Sequence, residues 1–146
     1  MDASTPETEK DPASSAYSDA ELRDAMELLF FSYRDFIGEP DAILSDYDFG
    51  RAHHRVIHFV GRNPDITVSD LLSVLKITKQ SLSRVLSQLI REDFIKQIPG
   101  PVDRRQRLLS LTEKGHALEE KLSAHQRERI ASAFKIAGPD AVEGFY

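Results

Sequence analysis

TKQSLSRVLSQLIRE, residues 78–92, separates into two faces when its residues are set about 100° apart on a helical wheel. Leu82, Val85, Leu86, Leu89 and Ile90 gather on one side, in the i, i+3, i+4, i+7, i+8 pattern of a core-facing stripe. Gln80, Arg84, Ser87 and Arg91 fall opposite, flanked by Ser81, Ser83 and Gln88, and no carboxylate interrupts that face before Glu92. Solvated helices ordinarily mix both signs of charge. A face made only of cations, hydroxyls and amides carries the groups that meet phosphates and base edges. The stretch reads as a DNA-recognition helix over residues 79–91, with Thr78 as its N-cap.

The flanks agree with that reading. Upstream, Thr67 and Asp70 have the spacing of a capping box for a short helix bearing Leu71, Leu72 and Leu75. Leu75 to Ile77 lead from it to Thr78. Two short helices joined by a tight turn, the second with a donor-rich face, make a helix-turn-helix. Downstream the hydrophobic period changes from 3.6 to 2. Phe94–Ile98 and Arg107–Leu111 are β-prone, and between them Pro99, Gly100 and Pro101 open a loop that includes Asp103, Arg104 and Arg105. A hairpin directly after a helix-turn-helix is a wing, spanning residues 99–106 at its tip. The wing presents Arg105 to a minor groove and Arg104 to the same groove or to phosphate alone.

Charge distribution explains how an acidic chain can offer such a surface. The net charge is −5, but Lys76 to Arg107 holds eight basic and three acidic residues, a window of +5 that leaves −10 for the remainder. A local basic face can grip a phosphate backbone while the rest of the surface stays acidic. Cysteine is absent, which excludes disulfides, thiolate metal sites and any thiol-based redox switch. No run of about 18 apolar residues suggests a membrane span. The opening MDASTPETEKDPASS lacks the apolar core of a secretory signal, so a cytoplasmic location is expected.

Residues 1–17 read as a disordered tail, and residues 18–146 as one domain. Ser18 with Glu21 spells a capping box for a helix over 19–37, which Gly38 and Pro40 should end, leaving 39–48 as a loop or a single loose turn. That helix carries Leu22, Met26, Leu29, Tyr33 and Phe36 along one stripe, with Leu28, Phe30, Phe31 and Ile37 outside it. A helix apolar nearly all round needs cover on several sides, and a second subunit can supply it. The next helix, about 50–62, is expected to pack through Ala52, Val56, Phe59 and Val60, with His53 and Ile57 at the edge of the stripe. Thr112 should cap a long helix to Ala137, closed by Gly138-Pro139. Residues 140–146 read as the first turns of a further helix that the chain cuts short.

ITVSDLLSVLKITKQSLSRVLSQLIREDFI (66–95) and DRRQRLLSLTEKG (103–115), in this order, resemble the MarR family of winged helix-turn-helix regulators. RAHHRVIHFVGRNP (51–64) most resembles a PetP-like subgroup. The resemblance runs from about residue 20 to 146. It implies a mainly α fold with a small β-hairpin wing, a DNA-binding core over 50–112, and dimerisation helices over 19–37 and 113–146, the last of them truncated. It further implies a homodimer on double-stranded DNA, with Gln80, Ser81 and Arg84 meeting a major groove. Arg105 would enter a minor groove, held in place by Asp103. The full candidate set is Thr78, Lys79, Gln80, Ser81, Ser83, Arg84, Ser87, Arg91, Asp103, Arg104 and Arg105.

A small-molecule effector could bias such a dimer. Phe30, Phe31, Arg34, His54 and His58 are candidate lining residues, being aromatic, cationic or titratable. An alternative reading makes the i, i+4 pair His54 and His58 the centre of a metal- or haem-binding sensor. Another gives the donor-rich face to an acidic protein partner. Neither a nucleophile triad nor a phosphate-binding loop is present, so neither an enzyme nor a resident cofactor is expected.

Overall fold

A computed structural model of the chain describes residues 16–146. Of the expected tail, all but Ala16 and Tyr17 lies outside the described residues. Six helices and three short strands follow in order: α1 Asp19–Ser45, α2 Arg51–Arg62, β1 Ile66–Thr67, α3 Val68–Leu75, α4 Lys79–Arg91, β2 Ile95–Pro99, β3 Arg107–Leu111, α5 Glu113–Ala137 and α6 Pro139–Phe145. Among the described residues no helix is long and apolar enough to cross a membrane.

The chain forms two units, the first ending at Asp35 and the second comprising Phe36–Tyr146. In the first, Ser18 and Glu21 close the expected cap. The Ser18 N–H donates to Glu21 Oε2 at 2.7 Å, and the Glu21 N–H donates back to Ser18 Oγ at 3.3 Å. The turns that follow leave Leu22, Met26, Leu28, Leu29, Phe30, Phe31 and Tyr33 between 47% and 73% exposed. So much bare apolar surface on one short stretch is far from the scattered exposure of an ordinary monomer.

Helix α1 does not stop at Gly38. It runs through Pro40 to Ser45, so residues 39–45 make two further helical turns and only 46–48 form a turn outside the helix. Proline has no N–H and leaves the carbonyl four residues back without its helical partner. Here that carbonyl belongs to Phe36, and Gln126 Nε2 of α5 donates to it at 3.1 Å. Both Pro40 and Gln126 are buried. A side chain 86 positions away in sequence thus replaces the missing backbone donor, an arrangement that a local stop signal does not reveal.

In the second unit the core gathers Leu44 and Phe49, Val56, Ile57 and Val60 of α2, Leu71 of α3, the α4 stripe, Phe94, Ile95, Leu109, Leu111, and Leu118 and Leu122 of α5. It therefore draws on residues outside the 50–112 segment at both ends. The inward face of α2 centres on Val56, Ile57 and Val60, so Ile57 is fully buried, whereas Ala52 in the first turn is exposed. The sheet has the order β1-β3-β2, all antiparallel, with Ile66 opposite Leu109 and Gln97 also opposite Leu109. Leu109 and Leu111 of β3 point into the core while Leu108 and Ser110 are half-exposed, the period-2 pattern of a strand. The two-residue β1 was not expected. It is held beside β3 by Asp65, whose N–H donates to Leu109 O at 3.0 Å and whose Oδ1 accepts from Ser110 Oγ at 2.8 Å.

Candidate nucleic-acid interface

The helix-turn-helix is fixed by two threonine caps and one left-handed residue. Thr67 Oγ1 accepts from the Asp70 N–H at 3.1 Å to start α3, and Thr78 Oγ1 accepts from the Ser81 N–H at 3.1 Å to start α4. Between them Lys76 closes α3 in the left-handed region, φ 50°, with its N–H on Leu72 O. Thr78 and Ser81 are thus engaged in the cap itself, their hydroxyls 2.9 Å apart. From that start the stripe of α4 turns inward: Leu82, Val85, Leu86 and Leu89 are buried and Ile90 half-buried. Lys79, Gln80, Ser83, Arg84, Ser87 and Arg91 are all exposed. Among the described residues Lys79, Arg84, Arg104 and Arg105 enter no ion pair, whereas Arg91 Nη2 lies 3.7 Å from Glu92 Oε1. Four cations without carboxylate partners leave their charge available to a polyanion.

Gln88 behaves differently from its neighbours. It is half-buried, its Oε1 2.9 Å from His53 Nε2 and its Nε2 donating to Glu92 Oε1 at 3.1 Å. The Gly50 N–H donates to His53 Nδ1 at 3.1 Å, which leaves the ring proton on Nε2 facing Gln88. His53 also stacks on Phe49, with centroids 4.6 Å apart. The residue expected at the edge of a stripe is instead a link between the start of α2 and the back of α4.

The wing is shaped by its own backbone. The Gly100 N–H donates to Gln106 O and the Gln106 N–H to Asp103 O, both at 3.0 Å. A Cβ at Gly100 would lie 2.7 Å from Asp103 O, so the turn closes tightly only around glycine. Asp103 Oδ1 accepts from the Arg105 backbone N–H at 2.9 Å. The aspartate therefore fixes the turn that carries the arginine. Lys79, Asp103 and Arg105 border one cleft of about 480 Å³, together with Thr67, Ser69 and Arg107, so the start of α4 and the wing arginine share a single surface.

The candidate effector residues fall on two elements. Phe30, Phe31 and Arg34 are exposed on the opening half of α1, where the Arg34 guanidinium lies 5.1 Å over the Phe31 ring and Nε donates to Asp35 at 2.8 Å. His54 and His58 are half-buried on α2, and His58 Nδ1 lies 3.6 Å from Glu119 Oε1 of α5. His58 borders an apolar cavity of about 330 Å³ with Phe36, Ser123, Gln126, Arg127, Ile130 and Phe134. Apart from His58, sequence reasoning singled out none of these as lining residues, because their convergence depends on the meeting of residues from α1, α2 and α5. Among the described residues no group of three or more His, Asp or Glu side chains could hold a metal ion. The metal or haem reading of His54 and His58 finds no support in their surroundings.

Burial, reinforced by the nearby charge of His58, lowers the pKa of His54. Arg55 adds to this, while Asp41 and Glu119 oppose it. An unfolded imidazole titrates at about 6.5. Acidification through that value protonates the unfolded chain first, so stability is full at neutral pH and falls until the folded His54 itself takes up a proton. His54→Gln is expected to flatten the pH 7.5 to 5.5 segment of the stability curve, read by urea unfolding. An unaltered slope would assign the dependence to other groups.

A family model described as MarR family matches residues 47–106. The HTH-type transcriptional regulator PetP of Rhodobacter capsulatus is 52% identical to this chain over 128 residues, which cover 88% of the chain and 77% of that protein. FabT of Streptococcus pneumoniae, in a crystal structure with DNA, aligns with a TM-score of 0.67 at 23% identity, covering 88% of this chain and 90% of that one. A mutant MarR from E. coli complexed with operator DNA aligns with a TM-score of 0.61 at 22% identity, covering 86% and 90%. At these identities the two structures bear on the fold, and the fold they share with this chain is the winged helix.

Proposed function

The chain belongs to the MarR family, and from that premise we propose that it is a cytoplasmic, dimeric, sequence-specific DNA-binding transcription regulator. The observation that carries the reading is the exposed face of α4, whose cations Lys79 and Arg84 have no carboxylate partners among the described residues and whose first residue shares a cleft with wing Arg105. Each subunit lays Lys79–Arg91 along a major groove, with Gln80, Ser83, Arg84 and Ser87 toward base edges. Arg105 enters the flanking minor groove, and Arg104 contacts phosphate. Thr78 holds the start of the helix through its cap, and Ser81 beside it enters the same major groove.

Dimerisation is supported by the apolar surface that the opening half of α1 leaves exposed, from Leu22 to Tyr33. Two-fold symmetry then sets the half-sites about one helical turn apart, roughly 10 base pairs. Phosphate neutralisation supplies most of the affinity, which therefore falls steeply with salt. A small-molecule effector is the accompanying proposal, with the cavity beside His58 as its seat. Occupied unequally in two arrangements of the dimer, that cavity would shift the spacing of the two recognition helices. Phe30, Phe31 and Arg34 remain lining candidates on α1, and His54 on α2.

Selection of bound sequences from a random duplex pool tests the central reading. Recovered sites should be pseudo-palindromic with half-sites about 10 base pairs apart. Recovery of no enriched sequence would overturn it.

A further inference from the structure

Helix α5 begins where α4 ends, and three residues of its first turn and cap, Thr112, Lys114 and Gly115, make the junction. Thr112 Oγ1 donates to Asp93 O at 2.6 Å, and the Thr112 N–H donates to Phe94 O at 3.1 Å. Gly115 approaches so closely that a Cβ there would collide with the Phe94 carbonyl. Between them Lys114 Nζ donates to Glu92 O at 2.8 Å while lying 4.2 Å over the centroid of the Phe94 ring.

Glu92 is the C-cap of α4. The last carbonyls of a helix lack backbone donors of their own and form the negative end of its dipole, so an ammonium there is favourable on both counts. The carboxylate of this same Glu92 accepts from Gln88, which is bonded to His53, and faces Arg91 at 3.7 Å. The end of α4 is therefore held from α5 by Lys114 and from α2 by His53 through Gln88. Arg91 sits on that held turn.

We infer that Lys114 is a positioning residue for DNA reading: by tying the final turn of α4 to the first turn of α5, it sets the angle at which Ser87 and Arg91 meet a groove. The inference rests on the proposed role of α4. Loss of the ammonium loosens geometry that base-specific contacts need, while contacts to phosphate tolerate the change. Lys114→Met keeps an unbranched stem over Phe94 and removes the charge, and Lys114→Arg retains a cation in place.

The experiment uses the full chain in two measurements. The first is amide hydrogen exchange at Glu92, Asp93 and Phe94, whose N–H groups bond to α4 carbonyls in the free protein. Exchange there is expected to quicken by about fivefold or more in Lys114→Met and to return to near the wild-type rate in Lys114→Arg. The second is anisotropy titration against a duplex recovered by selection and against a random duplex. Affinity for the selected duplex should fall by about fivefold, affinity for the random duplex by less than about twofold, with Lys114→Arg restoring both. Unchanged exchange would overturn the inference. Equal weakening on both duplexes would overturn it too, making Lys114 a phosphate contact. A wild-type chain that does not distinguish the two duplexes refutes the DNA-reading role, and the exchange result still decides whether Lys114 holds the end of α4.

Discussion

Phe94→Ala is expected to remove about 3–5 kcal/mol of folding stability, a large share of what a domain of this size holds. The ring is 1% exposed. It stands edge-on to Tyr47 at 5.8 Å and to Phe49 at 5.2 Å between centroids, and Lys114 covers a face. Its backbone is pinned as well, since the N–H donates to Leu89 O at 2.8 Å and the carbonyl accepts from Thr112. With the chain held on both sides of the residue, the surroundings cannot collapse into the space left by the ring, and the cavity term is felt in full. Phe94→Leu keeps part of the volume and should cost about 1–1.5 kcal/mol. Chemical unfolding of the two variants beside the wild type measures both. An alanine variant that loses less than about 1.5 kcal/mol would show that the aromatic cluster can repack, and that the pinned backbone is not what gives the position its weight.

Joint replacement of Arg84 and Arg105 by alanine is expected to weaken binding to a selected duplex by at least about 2 kcal/mol, roughly thirtyfold. Arg84 lies mid-way along the exposed face of α4, where a bidentate base contact is worth about 1–3 kcal/mol. Arg105 rides on the turn fixed by Asp103 and Gly100. Neither guanidinium supports the fold, since both residues are exposed and unpaired among the described residues. Thermal stability should therefore stay near wild type while affinity falls. The two losses differ in kind. Arg84→Ala alone should relax sequence preference at one position of each half-site, whereas Arg105→Ala alone should relax the preference for a narrow minor groove in the flanking sequence. Affinity that survives the double replacement would remove the winged-helix mode of DNA reading from this protein.

The elements that could be read from the sequence are those whose causes are local. Thr67, Thr78 and Thr112 cap their own helices through a residue three positions on, so the cap and the bond it makes lie within one short string. The stripe of α4 and the alternation of β3 likewise follow from periodicity alone, and both elements lie where the pattern puts them. Readings failed where a distant partner overrules a local signal. Pro40 is a strong stop, answered by Gln126. Strand β1 has two residues and no period to detect, and it exists because β3 and Ser110 receive it. Gln88 looked like a flanking amide of the outer face until its position against His53 was known. The candidate contact surface was legible because exposed donors are set by the same wheel that sets the core. The cavity beside His58 was not, because its walls come from separate helices.

The bond between Gln126 and the carbonyl of Phe36 makes two distant positions interdependent in inheritance. While proline occupies position 40, the amide donor at 126 supplies the hydrogen bond that the Phe36 carbonyl does not receive from its own helix. Once a residue with its own N–H replaces Pro40, position 126 is released to become aliphatic. The order of substitution is then constrained: a lineage can give up the proline first and the glutamine afterwards, but the reverse path crosses an intermediate with an orphaned carbonyl. Related chains should accordingly carry the pair together or lack both more often than chance allows.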